Sequence, residues 1–199
     1  MITLDVAQQT QEWLDAKCGV PSASNFDKIV TTNGSESKQR TKYLYQLAGE
    51  RVAGIREESY QNAAMTRGIE LESEARGLYE LITEETVTPA GICYPDEAKL
   101  YSCSPDGLIG EDGGIEIKCP SLPVHVSYVI DGKLPTEYFQ QVQGNLLVTG
   151  RKWWAFMSYF PGIKPLIMRV ERDKIFLKIL ESELQRFCQE LTEITEKIK

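Results

Sequence analysis

The sequence predicts an α/β protein in which helices flank a mixed β-sheet. Three observations carry that expectation. Apolar side chains recur at helical spacing up to about residue 82, strand chemistry with alternating side chains takes over at residues 87–118, and a helix, a strand pair and a striped terminal helix follow.

Residues 6–16 read as a short helix carrying Trp13, and residues 22–30 as a second, with Ser22 or Ser24 available to cap its exposed amides. Residues 31–37 form a polar loop. Residues 38–52 set Tyr43, Leu44, Leu47, Ala48 and Val52 on one helical face, and Gly54 stands where that helix would end. A longer helix is expected over residues 62–82, with Ile69, Ala75, Leu78, Tyr79 and Ile82 on its buried side. Strands follow at 87–94, at 100–102, and in the segments that carry Asp106 and Glu116. Residues 136–148 return to helix through the amide-rich run Gln140-Gln141-Val142-Gln143. Residues 152–160 and 166–170 pair as strands around Pro161-Gly162, with one of the rings of Trp153 and Trp154 turned inward. Asp173 caps a last helix striped by Ile175, Phe176, Ile179, Leu180, Leu184 and Phe187.

No internal repeat or low-complexity linker divides the 199 residues, so a single domain over 1–199 is expected. No apolar run is long enough to cross a bilayer, and residues 1–11 lack the basic-then-apolar order of a secretory signal. A cytoplasmic protein without membrane contact is therefore expected. Five scattered cysteines and a single histidine, His125, form no zinc pattern, and buried free thiols fit them better. His125 itself reads as structural or surface. The net charge of −7 argues against a protein that merely coats nucleic acid, but not against an enzyme that needs carboxylates to hold metal.

The chemistry concentrates in Ser104-Pro105-Asp106-Gly107-Leu108 and Gly114-Ile115-Glu116-Ile117-Lys118-Cys119-Pro120. Nine residues separate Asp106 from Glu116, and Glu111-Asp112-Gly113-Gly114 among them is a turn signal, so the segment reads as a β-hairpin. Alternation sends Ile115 and Ile117 to one face and Glu116 and Lys118 to the other, with Asp106 beside them on the neighbouring strand. Asp-Gly is also a common turn dipeptide, and Glu-x-Lys alone also fits a solvated sheet edge. Taken together, two carboxylates and a lysine suit a hard divalent cation and hydrolysis of a phosphodiester.

At these residues the chain resembles the PD-(D/E)XK nucleases, and more closely their lambda exonuclease branch, the YqaJ-type viral recombinases. The resemblance extends to Trp13 through Gly19-Val20 and Ala23-Ser24, to Arg67-Gly68-Ile69-Glu70-Leu71-Glu72, and to Gln141-Val142-Gln143 with Val148-Thr149. It implies a restriction-endonuclease-like core and a Mg²⁺-dependent 5′-to-3′ exonuclease of double-stranded DNA ends. Such an enzyme releases mononucleotides and leaves a 3′ single-stranded tail for recombination. It further implies one or two ions, with Mn²⁺ able to substitute, a homotrimeric ring, a single-strand annealing protein as partner, and a phage or prophage origin in a bacterial host.

The resemblance also assigns residues. Asp106 and Glu116 hold metal, joined by the backbone carbonyl of Ile117, while Lys118 orients or deprotonates the attacking water. Glu72 approaches the metal from its helix, although Glu70, Glu72 and Glu74 equally fit a solvated face. Gln143 helps position the water or phosphate, whereas Gln141, roughly half a turn away, faces elsewhere. Lys17, Ser24 and Ser104 bind the 5′ phosphate. The family carries arginine where this chain has Lys17, which leaves open a weaker grip or a substitute such as Arg40. Two rivals remain: a structure-specific or restriction-like endonuclease of the same superfamily, and a non-catalytic DNA-binding protein that keeps the fold.

Overall fold

A computed structural model describes residues 1–56 and 63–199. A five-stranded sheet runs β2 (Val87–Thr88), β4 (Gly107–Ile109), β5 (Gly113–Lys118), β6 (Trp153–Ser158) and β7 (Leu166–Glu171). Neighbours are antiparallel except β5 and β6, so the sheet is mixed, as expected. The parallel pair needs a crossover, supplied by α4 (Leu122–Asp131), a 3₁₀ turn at Thr136–Tyr138 and α5 (Phe139–Thr149). A small second sheet pairs β1 (Ile2–Leu4) with β3 (Ile92–Tyr94).

The remaining helices are α1 (Gln11–Lys17), α2 (Arg40–Ala53), α3 (Ala63–Thr83) and α6 (Lys174–Ile198), with a 3₁₀ turn at Ala23–Lys28. Helices cover both sheet faces. Ala75 and Tyr79 of α3 pack on Ile115, Ile117, Ala155 and Met157, whereas Val142 and Leu146 of α5 pack on Trp154 and Phe156. A separate core joins α2 to α6 through Tyr43, Leu44, Leu47, Leu180, Leu184 and Phe187. Among the described residues, no helix is long and apolar enough to cross a membrane.

Local chemistry explains most boundaries. Asp173 Oδ1 accepts from the Ile175 and Phe176 amides at 3.0 and 2.9 Å and so caps α6. Gly54 ends α2 with φ +65°. Trp153 and Trp154 are both buried, beyond the single inward ring expected. His125 is buried, with Nδ1 2.8 Å from Ser158 Oγ and Nε2 3.1 Å from the Lys164 carbonyl, a structural role. All five cysteines are free thiols, and only Cys18 is not fully buried.

Several expectations need correction. The first helix begins at Gln11 rather than residue 6, because Thr10 caps it through the Trp13 amide. Residue 62, the expected start of α3, lies outside the described residues. Ser22 occupies the N-cap position of its 3₁₀ turn but makes no side-chain cap, and neither does Ser24. The single strand expected over 87–94 is two strands in different sheets: Pro89 breaks the ladder, and a Cβ on Gly91 would stand 2.2 Å from the Leu4 carbonyl. Residues 100–102 make only an isolated bridge from Ser102 to Ser22. Helix α4 was not expected, since its β-branched run imitates a strand; Pro123 in its first turn was the available signal. Ile69, Ile82 and Val52 are exposed rather than buried, and so is Ile175, at the start of the α6 stripe.

Gly113 and Gly114 are strand residues, not the turn. The turn is made just before them, at Gly110 with φ +49°. A Cβ on Gly113 or Gly114 would lie 2.2 or 2.3 Å from the Trp153 or Trp154 ring, so these positions admit the two indoles on opposite faces of the sheet.

Candidate active site

Strand register assembles the centre. Gly107 pairs with Ile115 and Leu108 with Gly114, so one step further Asp106 stands across from Glu116. The Ile117 amide donates to Asp106 Oδ2 at 2.6 Å, locking the carboxylate onto the facing strand. Ile115 and Ile117 enter the core beneath α3, while Glu116, 2% exposed, turns towards α5. The alternation read from sequence therefore holds.

Three donors grip Glu116. Lys118 Nζ lies 2.7 Å from Oε1, Gln141 Nε2 donates to the same oxygen at 2.6 Å, and Asn145 Nδ2 donates to Oε2 at 3.0 Å. Lys118 also lies 5.0 Å from the centroid of the Tyr138 ring. Burial pulls the Lys118 pKa down, but Glu116 and Asp106 outweigh it and raise the ammonium above its ordinary range. In this arrangement Lys118 donates to Glu116 as a charged group. Burial pushes Asp106 well above the carboxylate range, and the negative charges of Glu116 and Glu72 add to this against the pull of Lys118 and the Ile117 amide.

Glu72, on α3, lies near Asp106. It shares with Asp106 a cleft of about 460 Å³ whose walls include Gln8, Arg76 and Gly91, and it is ion-paired with Arg76 one turn along the helix. Gln8 Nε2 donates to the Pro105 carbonyl at 2.9 Å, tying the N-terminal segment to the residue before Asp106.

The amide-rich run distributes itself by helical phase, about 100° per residue. Gln140 donates to the Val30 carbonyl at 3.2 Å. Gln141 enters the site. Gln143, 1% exposed, donates to the Glu171 carbonyl and accepts from the Asp173 amide, both at 2.9 Å. The sequence-based choice of Gln143 over Gln141 is therefore corrected: Gln143 braces the junction of β7 and α6, and Gln141 touches the carboxylate. Asn145, one turn beyond Gln141, was missed, although the i, i+4 spacing of two amides was the signal available.

A second cluster adjoins the carboxylates. Ala23 N donates to the Ser102 carbonyl and Ser102 N to the Pro21 carbonyl, both at 2.9 Å, which lays residues 21–24 along residues 102–104. Ser24 is exposed there, and the Ser104 hydroxyl is buried without a hydrogen-bond partner. Lys17 is 8% exposed and stacks over Trp13 at 4.1 Å. Burial first, then the Arg56 charge, lowers its pKa to about 8, with Cys103 and Glu116 opposing. Arg56, 5.8 Å from the Trp13 ring, is the further basic residue here and was missed from sequence. The suggested substitute Arg40 is unavailable, because it makes a bidentate pair with Glu190 at 2.6 and 3.0 Å.

The donor chemistry suits a hard divalent cation. The carboxylates of half-buried Asp106, buried Glu116 and Glu72 outnumber their cationic partners Lys118 and Arg76. Among the described residues no group of three or more His, Cys, Asp or Glu side chains converges on one point. Mg²⁺ makes no such demand, since it commonly takes one or two carboxylates and keeps several waters.

The profile of the YqaJ-like viral recombinase domain matches residues 12–152. An alkaline exonuclease from Laribacter hongkongensis superposes with a TM-score of 0.87 at 35% identity, over 95% of this chain and 96% of that one. Its structure in complex with dAMP gives 0.87 and 36%, with 96% of both chains covered. A phage-related exonuclease from Haemophilus somnus 129PT shares the fold at 12% identity, TM-score 0.73, over 90% of this chain and 96% of its own. A search of curated proteins found no match. The α/β core is thus restriction-endonuclease-like.

Proposed function

Because the chain belongs to the YqaJ-like viral recombinase family, a nuclease family of recombination, we propose that it is a Mg²⁺-dependent 5′-to-3′ exonuclease of duplex DNA ends. The observation that carries this reading is the β4–β5 register, which sets Asp106 against Glu116 and Ile117 with Lys118 alongside. Asp106, Glu116 and the Ile117 carbonyl would hold the cation, with Glu72 completing the negative wall. A bound Mg²⁺ supplies charge for the scissile phosphate and lowers the pKa of water.

The protein's own groups do the rest. Gln141 and Asn145 keep Glu116 in one orientation. The Lys118 ammonium, 2.7 Å from Glu116 Oε1, would donate to the attacking water or to a phosphate oxygen as negative charge builds there. Lys17, the unpartnered Ser104 hydroxyl and Ser24 would receive the terminal 5′ phosphate, with Arg56 adding positive field. That dAMP is the ligand crystallised with the Laribacter enzyme supports mononucleotide release here. A single domain, a homotrimeric ring around DNA and delivery of the 3′ tail to a single-strand annealing protein complete the proposal by family likeness.

Linear duplexes labelled separately at each end, with and without a 5′ phosphate, in Mg²⁺ or in chelator, test the reading together. Loss of label from 5′-phosphorylated ends in Mg²⁺ alone is expected. Cutting of covalently closed circles would instead identify an endonuclease, and no cleavage in any arm would leave the DNA-binding rival.

A further inference from the structure

Glu116 is held by one amide more than its pairing with Lys118 and Gln141 requires. Its Oε1 already accepts from Gln141 at 2.6 Å and lies 2.7 Å from Lys118 Nζ. Its Oε2 accepts from Asn145 alone, at 3.0 Å. A carboxylate has about two lone-pair positions on each oxygen, so Oε1 is filled and Oε2 keeps one free. We infer that Asn145 is a positioning residue that presents the free lone pair of Glu116 Oε2 to the catalytic cation. This rests on the proposed metal site and adds to it the choice of ligating oxygen and the group that makes the choice.

The surroundings suit that task. Asn145 is 1% exposed, so no bulk water stands ready to replace its donor. It sits on a face of α5 with little freedom to slide: a Cβ on the adjoining Gly144 would lie 2.6 Å from the Phe26 ring. Thr149 Oγ1 donates to the Asn145 backbone carbonyl at 2.7 Å, one turn on. A neutral amide donates to the carboxylate without bringing a positive charge that would compete with the cation. Aspartate there would repel Glu116, and leucine would leave Oε2 a donor short.

Mn²⁺ binding without DNA tests the inference, by titration calorimetry on wild type, Asn145→Leu and Glu116→Gln. Asn145→Leu is expected to weaken Mn²⁺ binding ~10- to 100-fold, the usual effect of losing a hydrogen bond to a metal ligand. The Mg²⁺ concentration for half-maximal exonuclease rate should rise in parallel, with the KM for DNA unchanged. Asn145→Ser, which keeps a shorter donor, should fall between the two and serves if the leucine variant does not fold. Folded variants that bind Mn²⁺ as wild type does would overturn the inference. Glu116→Gln that still binds Mn²⁺ and degrades DNA would overturn the metal site itself, a separate outcome.

Discussion

Gln141 donates to Glu116 Oε1 at 2.6 Å across the gap between α5 and β5, and so joins the crossover helix to the strand that carries the acidic centre. Gln143, two residues further on, points to the opposite side and holds the Glu171 carbonyl and the Asp173 amide. The two glutamines therefore fail differently when removed.

Gln141→Leu should cut the exonuclease rate ~10- to 100-fold with little change in melting temperature, because it loosens a carboxylate at the reacting centre. Gln143→Leu should instead leave a buried amide and carbonyl unpaired and cost about 1–3 kcal/mol of stability for each. Rates on a labelled linear duplex and thermal melts of both proteins separate the two roles.

The proposed metal role of Asp106 couples cation binding to stability. Its raised pKa means that, without metal, its contribution to stability is fully present only at low pH and is lost as pH rises through the folded value. Metal-free Asp106→Asn should therefore melt above wild type at neutral pH. Mg²⁺ should raise the melting temperature of wild type and not that of the variant. Equal responses to Mg²⁺ in scanning calorimetry would remove Asp106 from the ligand set.

The proposed phosphate role of Lys17 makes end recognition sensitive to alkaline pH. Its pKa lies near 8 in the folded protein against an ordinary 10.5. Between those values the unfolded chain binds more protons, so this residue's burden on stability is full below 8 and is relieved as pH rises. Neutralisation also removes a charge that a phosphate needs. Preference for 5′-phosphorylated over 5′-hydroxyl ends should decline above pH 8, and Lys17→Met should show little preference at any pH. Paired initial rates across that interval check it, with a flat wild-type preference as the contrary result.

Gly114→Ala should destabilise the core without touching the site. Its Cβ would meet the Trp154 ring at 2.3 Å, a centrally placed and fully buried indole. Overpacking of this kind costs about 1–3 kcal/mol. For a chain of this size each kcal/mol lowers the melting temperature by about 2–4 °C, measurable by circular dichroism.

The hairpin with its Asp106, Glu116 and Lys118, the cap at Asp173 and the stop at Gly54 were legible in the linear chain. Each depends on periodicity or on a residue's own backbone chemistry, and both are local. The tertiary structure decided what depends on helical phase and on distant packing. It turned Gln141 rather than Gln143 to the carboxylate, brought in Asn145 and Arg56, and tied Arg40 to Glu190. It also gave Gly113 and Gly114 to the tryptophans, in place of the turn they resemble. Strand alternation can be read with a period of two, but the direction in which one helical amide points is set by how the whole helix docks, and no short stretch of sequence carries that angle.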